Sequence, residues 1–316
     1  MFHSVPLVEV WRGDFLESCH RGHVIVSNFN GEIVQAWGNP NHIILPRSSC
    51  KILQALPLVT SGAADSLGLS TQQLALSCAS HQGAEIHSNL VKAWLKDLGK
   101  TDDDFRCGSQ WPRDTEARNA MIKKDETPCR YHNNCSGKHS GFLTLNAYLG
   151  AGPDYHLPEH PVQKAILNIF EEVTGETSPG YGIDGCSAPN WACTIGGLAR
   201  AMARCAGNSS NILGLASARL RDAMMAYPNL VAGETRACTE LMDAAPGVAL
   251  KTGAEAVFTA IIPSKKMGVA IKIEDGAFRA SEAVITALLI RMGLLNAAHP
   301  AAVKRLGPIS NWDGLR

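Results

Sequence analysis

The chain has 316 residues, of which 45% are hydrophobic and 18% charged, the make-up of an ordinary soluble globular protein. Its 29 basic and 29 acidic residues cancel to a formal net charge of +0 without a sustained run of one sign, which counts against nucleic acid and anionic membrane surfaces as partners. The length permits two domains, but an α/β enzyme of this size is commonly one unit and buries enough core to fold without a disulfide or metal.

The opening stretch MFHSVPLVEVWRGDF lacks a basic segment followed by an apolar core, so it does not read as a secretory signal. Nor does any apolar run reach the roughly eighteen residues of a bilayer span. The ten cysteines, at 19, 50, 78, 107, 129, 135, 186, 193, 205 and 238, read as free thiols, and the cytoplasm is the expected compartment.

Taken in chain order, His23–Phe29 and Glu32–Trp37 are expected strands joined at Asn30-Gly31, a signal for a two-residue hairpin. Ser70 and Gln73 have the spacing of a capping box, and Ser80 follows the helix they start. Ile86, Leu90, Val91, Trp94, Leu95 and Leu98 repeat at helical spacing, with Gly99 as the stop. The polar stretch from Thr101 to Cys129 reads as a surface excursion. Further helices are expected near 137–149, 161–174, 193–205, 211–226 and 234–243. Ala256–Ile262 and Met267–Ile273 are expected strands around Pro263-Ser264-Lys265-Lys266, followed by a helix from about Ser281 to Leu295. The fold class is therefore α+β: an antiparallel sheet built from both chain ends, with a helical region inserted between them. The expected organisation is one domain over 1–316, with a sheet-bearing part at about 1–60 and 245–316 and a helical part at about 61–244.

Four stretches carry chemistry. In Arg47-Ser48-Ser49-Cys50-Lys51, the serine and Lys51 are three apart and share one face of a helix. A serine hydroxyl is a weak nucleophile until a base takes its proton, and a desolvated lysine can do so. Lys251-Thr252-Gly253 stands just before the C-terminal strand. Together S-x-x-K and K-T-G follow the order and element types of the serine β-lactamase and penicillin-binding superfamily, with Ser80 in Ser77-Cys78-Ala79-Ser80-His81-Gln82 as a candidate second serine. The loop from His132 to Gly141 is small and polar and opens a helix, where a polar ligand can be cradled. Gly182 to Asn190 is a second such loop, with Asp184 and Cys186. On spacing alone Cys135 and Cys186 match no metal pattern and read as two buried thiols.

With these residues in view, the chain resembles the Rhizobium-type, thermolabile (class 3) L-asparaginases over nearly its whole length. Cys-Ser-Gly-Lys-His-Ser-Gly together with Asp-Gly-Cys is the most specific part of the likeness. The resemblance implies a serine β-lactamase/glutaminase-like fold, a homodimer, and hydrolysis of L-asparagine to L-aspartate and ammonia. Residue by residue it implies two serine–lysine pairs, Ser48 with Lys51 and Ser80 with Lys251. It also implies one zinc ion per chain on Cys135, Lys138 and Cys186, and Arg47, His139 and Asp184 at the substrate. The expected mechanism is acyl transfer, in which neutral Lys51 deprotonates Ser48 and Ser80 with Lys251 delivers a proton to the leaving ammonia. Crowded lysines lower one another's pKa, so an alkaline optimum at roughly pH 8–9 is expected. Two other enzyme readings compete: a glutaminase, and a penicillin-recognising serine acylase or β-lactamase. A third alternative is a non-enzymatic zinc or amino-acid binding module.

Overall fold

The computed structural model of the chain describes residues 3–308. One antiparallel sheet draws strands from both ends of that span: β1 (Val5–Arg12), β2 (Phe15–Asn28), β3 (Ile33–Trp37), β4 (Ala249–Gly253), β5 (Val257–Ile262) and β6 (Met267–Ile273). The order is β1-β2-β6-β5-β4, and β3 pairs with the C-terminal half of β2. Between these groups the chain is mainly helical, so the architecture is the α+β arrangement expected from the sequence.

The strands β5 and β6 read as almost unbroken apolar runs because both faces of the sheet are covered. Helices Ile195–Cys205 and Phe278–Arg291 pack on it. At Gly268 a Cβ would collide with the backbone at Ala199 and Ala203, so this glycine lets helix and strand touch. In the helical region, Lys51–Thr60 lies at the centre, buried from Lys51 to Leu58 among helices Ser136–Leu149, Pro161–Thr174 and Ile212–Ala226.

The capping box is present: Ser70 Oγ accepts the Gln73 N–H at 3.3 Å, and Gln73 Oε1 accepts the Ser70 N–H at 2.8 Å. Other expectations need correction. A hairpin of β1 and the first half of β2 precedes the first expected strand. The Asn30-Gly31 connection is longer than two residues, closing where the Asn28 N–H donates to Glu32 O at 2.9 Å. Lys251-Thr252-Gly253 precedes the expected strand β5 and itself lies on a further strand, the sheet edge β4. The segment 101–129 is only partly superficial, since it carries helix Thr115–Lys123 and buries Phe105 and Cys107. No helix among the described residues is long and apolar enough to cross a membrane.

Candidate active site

The S-x-x-K segment straddles a junction: Arg47–Cys50 is a 3-10 turn, and Lys51 begins the central helix. In a 3-10 turn residues i and i+3 eclipse, so the expected shared face for Ser48 and Lys51 is retained by a tighter geometry. The turn is gripped by the sheet edge. A Cβ on Gly253 would stand 2.7 Å from Pro46 O and 2.9 Å from Ser49 N, so the glycine of K-T-G is what lets β4 lie against the serine turn. From β5, Thr259 Oγ1 donates to Ser49 O at 3.1 Å. Arg47 opens the turn at φ +54, a left-handed conformation uncommon outside glycine, and its N–H is held by Asn190 Oδ1 at 3.1 Å.

Both lysines are buried, and their partners differ. Lys251 Nζ lies 2.9 Å from Ser80 Oγ and 2.9 Å from Thr252 O. Burial lowers its pKa to about 7; the nearby Cys238 thiol opposes that shift, while Lys51 and Arg236 reinforce it. Lys51 Nζ instead donates to Ala79 O, and it lies 3.2 Å from Cys135 Sγ. No hydrogen bond joins it to Ser48 among the described residues. Ser80 is fixed at its backbone by an N–H bond to Val231 O at 2.9 Å.

The loop residues meet beside Lys51. Cys135 caps helix Ser136–Leu149, and Lys138 projects from its first turn. Lys138 Nζ lies 3.1 Å from Cys186 Sγ, and the Cys135 and Cys186 thiols share a hydrogen bond. Gly137 packs so closely on Leu76 that a Cβ would collide with its carbonyl, which seats this loop on helix Thr71–Ser77. The bond from Cys135, helped by Lys138 and Lys51 against burial, holds Cys186 well below the usual thiol range. Cys135 is pushed up to about 12, first by that same bond and then by burial. Burial would lower Lys138, but Cys186, Cys135 and Asp184 outweigh it and raise the amine. The two sulfurs and the amine are thus drawn together out of solvent.

Of the expected substrate residues, Arg47 and Asp184 are paired: Nε donates to Oδ1 at 2.6 Å, which leaves both Nη groups of the guanidinium without a protein partner among the described residues. Asn190 Nδ2 donates to Asp184 Oδ2 at 3.3 Å. His139, next to Lys138 on the same helix, is fully buried, with Nδ1 2.8 Å from the Tyr155 hydroxyl and packed by Phe105 and Phe142. Asn190, Tyr155 and the carbonyl of Ala79 were not foreseen. Asn190 lay at the end of a glycine-flanked loop already singled out; a backbone carbonyl has no residue signature at all. A cavity of about 620 Å³ lies apart from all these groups, between β1 and helix Phe278–Arg291.

Among solved structures, Mglu in its native form aligns with a TM-score of 0.52 at 10% identity, over 90% of this chain and 66% of that one. Mglu in its glutamate form gives 0.51 at 11%, over 92% and 63%. A putative β-lactamase from Bacteroides dorei DSM 17855 gives 0.42 at 11%, over 85% and 93%. At such identities the likeness to Mglu defines the fold alone, and the chain spans about two thirds of the Mglu structures' length. No curated protein matches. The profile of the L-asparaginase II family matches residues 8–315, and the chain belongs to that family.

Proposed function

We propose that the protein is an amidohydrolase that converts L-asparagine to L-aspartate and ammonia through a serine acyl-enzyme. Family membership supports the substrate. The observation that carries the chemistry is the Ser80–Lys251 pair: a buried amine with a pKa of about 7, 2.9 Å from a serine, on the strand that grips the Ser48 turn. An amine that is neutral near pH 7 can hold or pass a proton where ordinary lysine, at ~10.4, cannot.

In this reading Ser48 attacks the side-chain amide carbon, and Lys51 receives its proton. The oxyanion is met by backbone N–H groups of the Ser48 turn. Lys251 and Ser80 pass a proton to the amide nitrogen, ammonia leaves, and water cleaves the aspartyl ester. The free Nη groups of Arg47 suit the α-carboxylate, and Asp184 suits the α-ammonium. His139, bonded to Tyr155, orders the wall behind Lys138. A second reading, favoured by the Ser80–Lys251 hydrogen bond itself, makes Ser80 the nucleophile.

Two sulfurs and an amine, all buried and mutually within reach, fit the donor set of a zinc ion, with Lys138 entering as neutral amine. We propose that Cys135, Lys138 and Cys186 would hold it, and that it would supply fixed positive charge beside the substrate. Ten free cysteines support a cytoplasmic, reducing setting, and the sequence resemblance supports a homodimer.

Ammonia release from asparagine, compared with glutamine and with opening of a chromogenic lactam, tests the assignment. Asparagine turnover is the expected result. Preference for glutamine or the lactam would move the protein to the glutaminase or penicillin-recognising readings, and no turnover of any of them would leave a binding module.

A further inference from the structure

We infer that His81 is a positioning residue: a neutral imidazole strut that fixes Ser80 relative to the Cys135–Lys138–Cys186 cluster. The inference rests on Ser80 acting in the reaction proposed above. His81 is 1% exposed, so its ring is enclosed by protein. Its Nδ1 lies 3.1 Å from the Gly83 backbone N–H, which can only donate. Nδ1 is therefore the acceptor, and the ring's proton sits on Nε2. That proton points at Ser136 Oγ, 3.0 Å away, and Ser136 in turn donates to Tyr131 O at 2.9 Å. Every donor in this chain of bonds has one acceptor, so the tautomer is set by its surroundings.

The strut joins two parts of the site. At one end it closes the loop 80–83, whose Gly83 takes φ +75. At the other it holds Ser136, the residue between Cys135 and the helix turn bearing Lys138. The His81 N–H reaches the same loop, donating to Asn134 O at 3.1 Å. His87 stacks on the ring with centroids 4.6 Å apart and planes within 9°, and is itself anchored by a bond from Nε2 to Asn229 O at 2.9 Å. The peptide on the other side of Ser80 is also clamped, since Lys51 donates to Ala79 O. Ser80 is thus held from both neighbours and by Lys251 at its hydroxyl. Burial, and then His87 and the lysines, keep His81 well below the usual imidazole range, so the strut stays neutral across the working pH.

A misplaced catalytic group of about 1 Å typically costs on the order of 100-fold in rate. The test substitutes His81→Asn, which can keep an acceptor near Nδ1 and cannot reach Ser136, and His81→Gln, which can reach Ser136. Activity is read per folded molecule, with kcat and KM separated. The expected result is a kcat loss of roughly 10- to 100-fold in His81→Asn at near-normal KM, partial rescue in His81→Gln, and a similar loss in Ser136→Ala that does not add to His81→Asn. The deciding arm repeats His81→Asn in a Ser80→Ala background, where no further loss in kcat is expected. A further loss there, or an unchanged kcat in the folded single variant, would overturn the inference. Full activity of Ser80→Ala alone would instead overturn the role of Ser80 on which it rests. If His81→Asn fails to fold, His81→Gln and Ser136→Ala in the two backgrounds carry the same comparison.

Discussion

The two proposed serine–lysine pairs consist of the same residue types, and the fold treats them oppositely. Ser48 and Lys51 are three residues apart on one turn, yet the lysine spends its hydrogen bonds on Ala79 O and the Cys135 thiol. Ser80 and Lys251 are 171 residues apart and are bonded at 2.9 Å. Proximity in sequence places side chains on one face but does not choose their partners; the partners are chosen by which carbonyls and thiols the tertiary fold brings to a buried amine. Lys51 meets a carbonyl and a sulfur, whereas Lys251 meets a hydroxyl and one carbonyl in an environment that favours the neutral amine.

The largest test of the contrast is to remove each hydroxyl. Ser48→Ala is expected to abolish turnover by several orders of magnitude with the fold intact, as loss of a nucleophile does in coupled sites. Rapid-quench mass analysis on asparagine should find the acyl adduct on Ser48. An adduct on Ser80, with Ser48→Ala still forming it, would reverse the assignment and make the bonded pair the nucleophilic one.

Next in size is Lys251→Met, expected to lower kcat by roughly 10²- to 10⁴-fold, the range of a lost proton-transfer group. Lys251 must start neutral to take up the proton released at Ser48, which it then passes through Ser80 to the amide nitrogen, so wild-type activity should rise as pH increases through about 7 and level off by roughly pH 8–9. The residual activity of Lys251→Met should lack that limb. A wild-type rate that is highest near pH 5, where this lysine is charged, would rule out a lysine base in either pair.

The thiol cluster separates the pairs in a third way, since it touches Lys51 and not Lys251. Purified protein is expected to carry about one zinc per chain by elemental analysis, and Cys135→Ala or Cys186→Ala should lose it. Full activity after demonstrated metal removal would confine any zinc to a structural part.

Much of the fold was legible from residues alone. The β5–β6 hairpin, the helix stopped at Gly99 and the Ser70–Gln73 box follow from local pattern and turn chemistry. The β1 hairpin was not, because Pro6 and two register shifts spoil its alternation on an edge with exposed Trp11 and Phe15. Within the site, the residue types were readable, and the glycine of K-T-G has a clear physical reason. What was hidden is pairing: Lys51 with a carbonyl, Arg47 with Asp184 and Asn190 at a left-handed φ, and His139 with Tyr155. Each depends on segments that meet only in the folded chain.

The smallest predicted effect tests the environment of Lys251 rather than its presence. Four charged or titratable groups act on that amine besides burial: Cys238, Lys51, Arg236 and Cys135. Arg236 is the one that can be changed without touching either serine–lysine pair. It lies half-buried at the start of helix Ala237–Ala244, and like charge makes protonation of Lys251 harder. Arg236→Gln removes that repulsion, so the protonated form gains and the apparent pKa must move upward. The ascending limb should shift to higher pH with the plateau rate unchanged, and by less than burial itself contributes. Because Arg236 is partly solvated, added salt should shrink the difference between the two proteins. A downward shift, or one that grows with ionic strength, would show that the limb does not report Lys251.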